Sequence, residues 1–275
     1  MLIFTNGWRA ADWTAAGDRA LDAGDPRQAA TDFSHALDVC LRTSAPAEEA
    51  FHLRVTLSTA YMEAGNYHGA EKTLQEASRA AGRTASGLAR AELLNAESAL
   101  DFRRGKLSAA EGALVEAWQI VARLPAAGDL RPTVLHNMAA DEMRTQRYAD
   151  ALVHEQAALR MWQKALSPDH PKLIRAWASL ASLEYMLGQH EEARLSMERA
   201  LMSAERTYGP SNPLLADLLE TDAIILDQLK LKKRAQRDRE RAREIRGAAE
   251  HAGSGRLTWD IREAPEGAVY LRGNY

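Results

Sequence analysis

Arginine and asparagine are the residues of this 275-residue chain whose spacing suggests recognition chemistry. Arg103 and Arg144 lie 41 positions apart, Asn95 and Asn137 stand about two helical turns ahead of them, and Arg175 follows. A guanidinium holds a carboxylate with two parallel hydrogen bonds, and a carboxamide offers both donor and acceptor to a peptide backbone. Phe102, Met143 and Tyr185 lie close by in sequence as apolar anchors, and His136 precedes Asn137.

Catalytic patterns are absent from the sequence. It holds no glycine-rich phosphate loop, no paired cysteines and no His-Glu-x-x-His motif. Gly253-Ser254-Gly255 reads as a linker, and the eight histidines are scattered without ligand spacing. His170 suits a capping role in a linker. Cys40 lies between Val39 and Leu41 and reads as a buried, inert thiol. We therefore expect no enzyme activity, no cofactor and no metal.

A net charge of −3 gives no overall attraction to nucleic acid or an anionic membrane. Apolar runs such as Ala223-Ile224-Ile225-Leu226 fall far short of the roughly 20 residues of a membrane span. The start, Met1 to Trp8, does not read as a secretory signal. These features suggest a cytoplasmic protein.

The elements that must position these side chains follow from a repeat. A turn-forming residue, an alanine five further on, a mostly bulky residue four beyond it and a second alanine after three more recur six times. The copies are Gly24-Ala29-Phe33-Ala36, Gly65-Ala70-Leu74-Ala77, Gly105-Ala110-Leu114-Ala117, Gln146-Ala151-Glu155-Ala158, Gly188-Ala193-Met197-Ala200 and Lys230-Ala235-Arg239-Ala242. The first alanines are 40 to 42 residues apart. Alanine makes up roughly a fifth of the chain, yet chance does not put twelve alanines in one register. Upstream, Trp13-Ala16-Gly17-Ala20 and Arg54-Leu57-Ser58-Tyr61 put a small residue on a helical face where a partner helix would cross. Each unit thus reads as two amphipathic helices joined by a tight turn.

Trp13, Gly17, Ala29, Phe33 and Ala36, with Leu57-Ser58, Tyr61, Ala70, Leu74 and Ala77, resemble the tetratricopeptide signature. The period of about 41 is longer than the usual 34 and is similar to that of kinesin light chains and many bacterial tetratricopeptide proteins. The linkers Ser167-Pro168-Asp169-His170-Pro171 and Gly209-Pro210-Ser211-Asn212-Pro213 add to the likeness, with Asn212 as a cap and Pro213 in the first turn. The likeness covers about residues 10 to 248 and is weaker in the fourth and sixth copies, where Glu155 and Arg239 replace a bulky residue.

The resemblance implies an all-α fold, a right-handed superhelical solenoid of six antiparallel helix pairs over 1–250, with a short non-helical tail over 251–275. The repeats run approximately 10–43, 51–83, 91–124, 132–166, 174–208 and 216–247. It also implies a concave groove lined by the first helices. There Asn95, Phe102, Arg103, His136, Asn137, Met143, Arg144, Arg175 and Tyr185 would bind a protein or peptide carrying acidic residues and an apolar anchor. Asp101 and Glu142 are the neighbouring carboxylates that could instead pair with Arg103 and Arg144 as surface charges.

The expected role is an interaction scaffold with no nucleic-acid or membrane partner. The basic stretch Lys230 to Arg246 reads as the polar outer face of a terminal repeat. After it, Leu257, Trp259 and Ile261 alternate with polar residues in a tail that is extended or partly disordered. That tail offers an alternative, a regulatory subunit or sensor whose groove it fills until a ligand displaces it, and a route to homo-oligomers.

Overall fold

The turn residue five positions before each first alanine ends one helix and launches the next. In the computed structural model, which describes residues 8–251 except 23, 44, 83–85 and 126, Gly24, Gly65, Gly105 and Gly188 take φ angles of 75–77°. Gln146 and Lys230, at the same place in the fourth and sixth copies, are also left-handed, with φ 61°. The Asp25 N–H donates to the Ala20 carbonyl at 2.8 Å, and equivalent bonds form from Asn66, Lys106, Arg147, Gln189 and Leu231. This is the Schellman arrangement, which satisfies carbonyls that the ending helix leaves over.

The start of the next helix is often capped by a side chain. Asp25, Asn66, Ser86, His170 and Asn212 each accept a first-turn N–H. His170 is thus the linker cap its position suggests, and Pro171 and Pro213 follow where no donor is missed.

Twelve α-helices and no strand result among the described residues. They are α1 (Ala10–Asp22), α2 (Pro26–Arg42), α3 (Ala47–Glu63), α4 (Tyr67–Ala81), α5 (Gly87–Arg103), α6 (Leu107–Val121), α7 (Leu130–Arg144), α8 (Tyr148–Ala165), α9 (Pro171–Met186), α10 (His190–Tyr208), α11 (Pro213–Gln228) and α12 (Lys232–His251). Both α3 and α5 begin about four residues before the repeat pattern does, because the helix starts at its flanking Pro46 or Ser86 rather than at the first apolar position.

All twelve repeat alanines have 0% of their surface exposed. Opposite them, twelve residues before each first alanine, lie Gly17, Ser58, Ser98, Ala139, Ala181 and Ala223, all small and all buried. The helices of a pair can approach closely because neither side presents a large side chain at the crossing. Gly17 gives the tightest case. A Cβ there would lie 2.6 Å from the Phe33 ring.

The chain divides into two compact units between Val134 and Leu135, inside α7. In the first, α1 packs on α2, α3 on α4 and α5 on α6, with α2–α3 and α4–α5 contacts joining the pairs. Its core includes Phe33, Cys40, Leu53 and Leu57, with Phe51, Met62 and Leu74 in a second cluster. Cys40 is 1% exposed, and burial pushes its thiol pKa up, which keeps it protonated and inert. In the second unit α8 to α12 pack in chain order around Ile174, Met197, Leu215, Leu218, Ile225 and Ile245.

The linker before α9 is tied down as well. Asp169 accepts two bonds from Arg206 at 2.6 and 2.9 Å, and Thr207 donates to its carbonyl at 2.7 Å. On α12, Arg239 pairs with Asp227, Arg241 with Glu205 at 2.6 Å, and Arg246 with Asp217 at 2.8 Å and with Glu220. Part of the basic stretch therefore fastens α12 to α10 and α11. The tail expected over 251–275 lies outside the described residues, apart from His251, which ends α12.

Candidate partner-binding surfaces

On α5, Asn95, Phe102 and Arg103 are half-buried. The Nε and Nη2 atoms of Arg103 are shielded from solvent and have no hydrogen-bond partner. Asp101, the neighbouring carboxylate, instead lies 3.4 Å from the Lys106 ammonium. Two guanidinium donors on one edge thus remain for a carboxylate.

In the second unit the expected residues separate into two groups. Arg144 is exposed, and Arg175 and Tyr185 are half-buried, the Tyr185 hydroxyl accepting a bond from Gln228 at 3.2 Å. His136, Asn137 and Met143 are buried, at 6%, 9% and 6% exposure, which corrects their expected place on an open groove.

The reasons are physical. His136 turns inward because Glu155 stands at a core position and needs a partner: Nδ1 lies 2.8 and 2.9 Å from the two carboxylate oxygens, and the ring meets Trp162 edge-on. Met143 packs with Ala139, Ala151 and Leu183 in the core. Glu142 does not act as a surface counter-charge; it is buried and bonded to His154 at 2.7 Å, which raises the His154 pKa despite burial.

Three features were not foreseen from sequence. The first is that Glu142–His154 bond between α7 and α8. The second is a carboxyl pair, Asp222 on α11 and Asp238 on α12; burial and the Asp238 carboxyl push Asp222 up to about 7. The third is an open cavity of about 410 Å³ in the first unit, lined along α2 by Arg27, Ser34, His35 and Asp38 and bordered by Tyr61 and Asn66. Its only sequence signal is a polar stripe on α2, which looks like any solvated helix face.

The family model described as tetratricopeptide repeat matches residues 130–202. No curated protein sequence matches the chain. Among solved structures, BtubC (BKLC) from P. vanneervenii is 17% identical, with a TM-score of 0.63 over 94% of this chain and 95% of that one. Cut9, from the APC/C hetero-tetramer Cut9-Hcn1, is 16% identical, with a TM-score of 0.66 over 86% of this chain and 40% of that one. A Rap protein complexed with competence and sporulation factor is 12% identical, with a TM-score of 0.61 over 88% and 78%. The family match covers residues 130–202, and the recurring turn and alanine-lined crossings carry the same pattern through the other helix pairs, so the chain has a tetratricopeptide-like fold.

Proposed function

We propose that this protein binds a peptide or protein segment through the first helices of its pairs, with Arg103 taking a carboxylate of the partner. The observation that carries the reading is the Nε–Nη2 edge of Arg103, out of solvent and bonded to nothing. A buried donor left unpaired costs about 1–3 kcal/mol, and a carboxylate that accepts from both atoms removes that penalty. Asn95, two turns back, suits a peptide backbone, and Phe102 suits an apolar anchor. In the second unit, Arg144, Arg175 and Tyr185 offer the same kinds of contact.

Two relatives in fold were solved with partners, the Rap protein with its factor and Cut9 with Hcn1, and this supports a binding role. The reading involves no catalysis and no cofactor. It includes a cytoplasmic setting, for which the single, buried Cys40 is the support.

The test is selection of displayed random peptides on the purified chain, followed by affinity measurement with single variants. Enriched peptides carry an acidic residue and an apolar one, and Arg103→Glu weakens them at least tenfold, the scale of a charge-assisted bond. Selection of peptides without acidic residues, or unchanged affinity in Arg103→Glu, rejects the assignment.

A further inference from the structure

The cavity on α2 has a chemistry of its own. Arg27, Ala30, Thr31, Ser34, His35 and Asp38 recur along one helix face and form one wall. The opposite wall is Tyr61 near the end of α3, with Asn66 at the turn into α4. At about 410 Å³ it falls within the roughly 300–1,000 Å³ of ligand-binding clefts.

Its charged groups are not used internally. Elsewhere on the first unit arginines find carboxylates, Arg90 with Glu116 and Arg104 with Glu71. The side chains of Arg27, Asp38 and Tyr61 make no hydrogen bond within the described residues. His35 differs from a mobile surface histidine. Its ring lies 4.6 Å from that of Trp13, which in turn lies 4.7 Å from that of Trp8. The rings are tilted against one another, at 38° and 57°, and this contact limits the freedom of the imidazole before a ligand arrives.

The ends of the cavity are opposite in charge. Arg27 and Asp38 are eleven residues apart on α2, which at 1.5 Å per residue is roughly 16 Å. An extended chain covers that distance in about five residues at 3.3 Å each. A phosphate-rich ligand would meet Asp38 with like charge, whereas a peptide can carry one charge of each sign at the required separation.

We propose that this cavity is a second, separate docking site. It takes an extended peptide segment of a partner protein bearing an acidic residue at Arg27, a basic residue about five positions away at Asp38, and an aromatic side chain between His35 and Tyr61. The site is built mainly on α2, a second helix of its pair, with Tyr61 from α3 across from it, and does not depend on Arg103.

The experiment uses the full chain and a set of fluorescein-labelled peptides with capped ends. Each has one Glu and one Lys placed two to eight positions apart on an alanine-serine background, with a Phe between them. Anisotropy titrations give tightest binding at a separation of about five. Asp38→Lys weakens that peptide about threefold or more, the scale of an exposed ion pair. It also shifts preference to the peptide in which Glu replaces Lys. Arg103→Glu leaves the profile unchanged, which separates this site from the one under Proposed function. Thermal melts check that the exposed substitutions leave the fold intact. The inference is overturned by no binding up to about 1 mM, by a response independent of spacing, by a preference unchanged in Asp38→Lys, or by loss of binding in Arg103→Glu.

Discussion

Nδ1 of His136 lies 2.8 Å from the carboxylate of Glu155, and the two residues are 6% and 0% exposed. Glu155 occupies the position held by Phe33, Leu74, Leu114 and Met197 in other copies, so the fourth repeat has exchanged an apolar core residue for a polar pair. Breaking a buried pair from one side strands the other partner, whereas replacing both with apolar residues is often neutral. His136→Leu is therefore expected to lower stability by about 3 kcal/mol or more, with Glu155→Leu/His136→Leu close to the unsubstituted protein. Urea unfolding measures this, and a double variant as unstable as the two singles combined would show that the pair is not compensating.

The left-handed turns at Gln146 and Lys230 invite a second test. A residue with a Cβ is strained there by about 1–2 kcal/mol, and glycine is not. Gln146→Gly and Lys230→Gly are expected to stabilise the chain by up to about 1 kcal/mol each, because glycine's greater freedom when unfolded offsets part of the gain. Gly65→Ala, at φ 75°, runs the other way. Melting curves of the three variants give the signs.

At the first crossing, Gly17→Ala would push a methyl into the Phe33 ring and cost about 1–3 kcal/mol. The second repeat combines Ser58 with Leu74 at the same two positions. Adding Phe33→Leu to Gly17→Ala is thus expected to recover most of the loss, and equal loss in single and double variants would deny the clash.

Asp222 makes stability depend on pH. Its carboxyl is held near 7 in the fold, by burial and by Asp238 beside it, against 3.8 for the ordinary group. The folded state therefore holds a proton that the unfolded chain releases, so stability falls as pH rises from about 4 through 7. Arg234 opposes the shift and Glu198 adds to it. Asp222→Asn removes the penalty, and its melting temperature should exceed that of the unsubstituted protein by more at pH 8 than at pH 5. A difference independent of pH would rule out this linkage.

Much of the fold was legible because it rests on two signals with strict local causes. A residue at the turn must become left-handed, and an alanine must sit where two backbones cross; both recur in register, so even Gln146 and Lys230 could be placed. The site was less legible. Position along a helix gives the face only to within a residue or so, which is enough to locate Arg144 on the surface and too coarse to keep Met143 out of the core. His136 was misplaced for a different reason: its direction depends on Glu155, on another helix, and the register marked that residue only as a departure. The α2 cavity depends on which charges find partners, and the sequence leaves pairing open.

Six similar units in one chain create a hazard of their own, since a folding helix can dock on the wrong neighbour. Glu155 fits beside α7 because α7 brings His136, and Arg239 is matched by Asp227 on α11. Were α8 and α10 to trade places, a carboxylate would meet an apolar wall and Met197 would meet an imidazole. The departure at Glu155 thus makes such an exchange costly, and marks α8 as different from the helices it otherwise resembles.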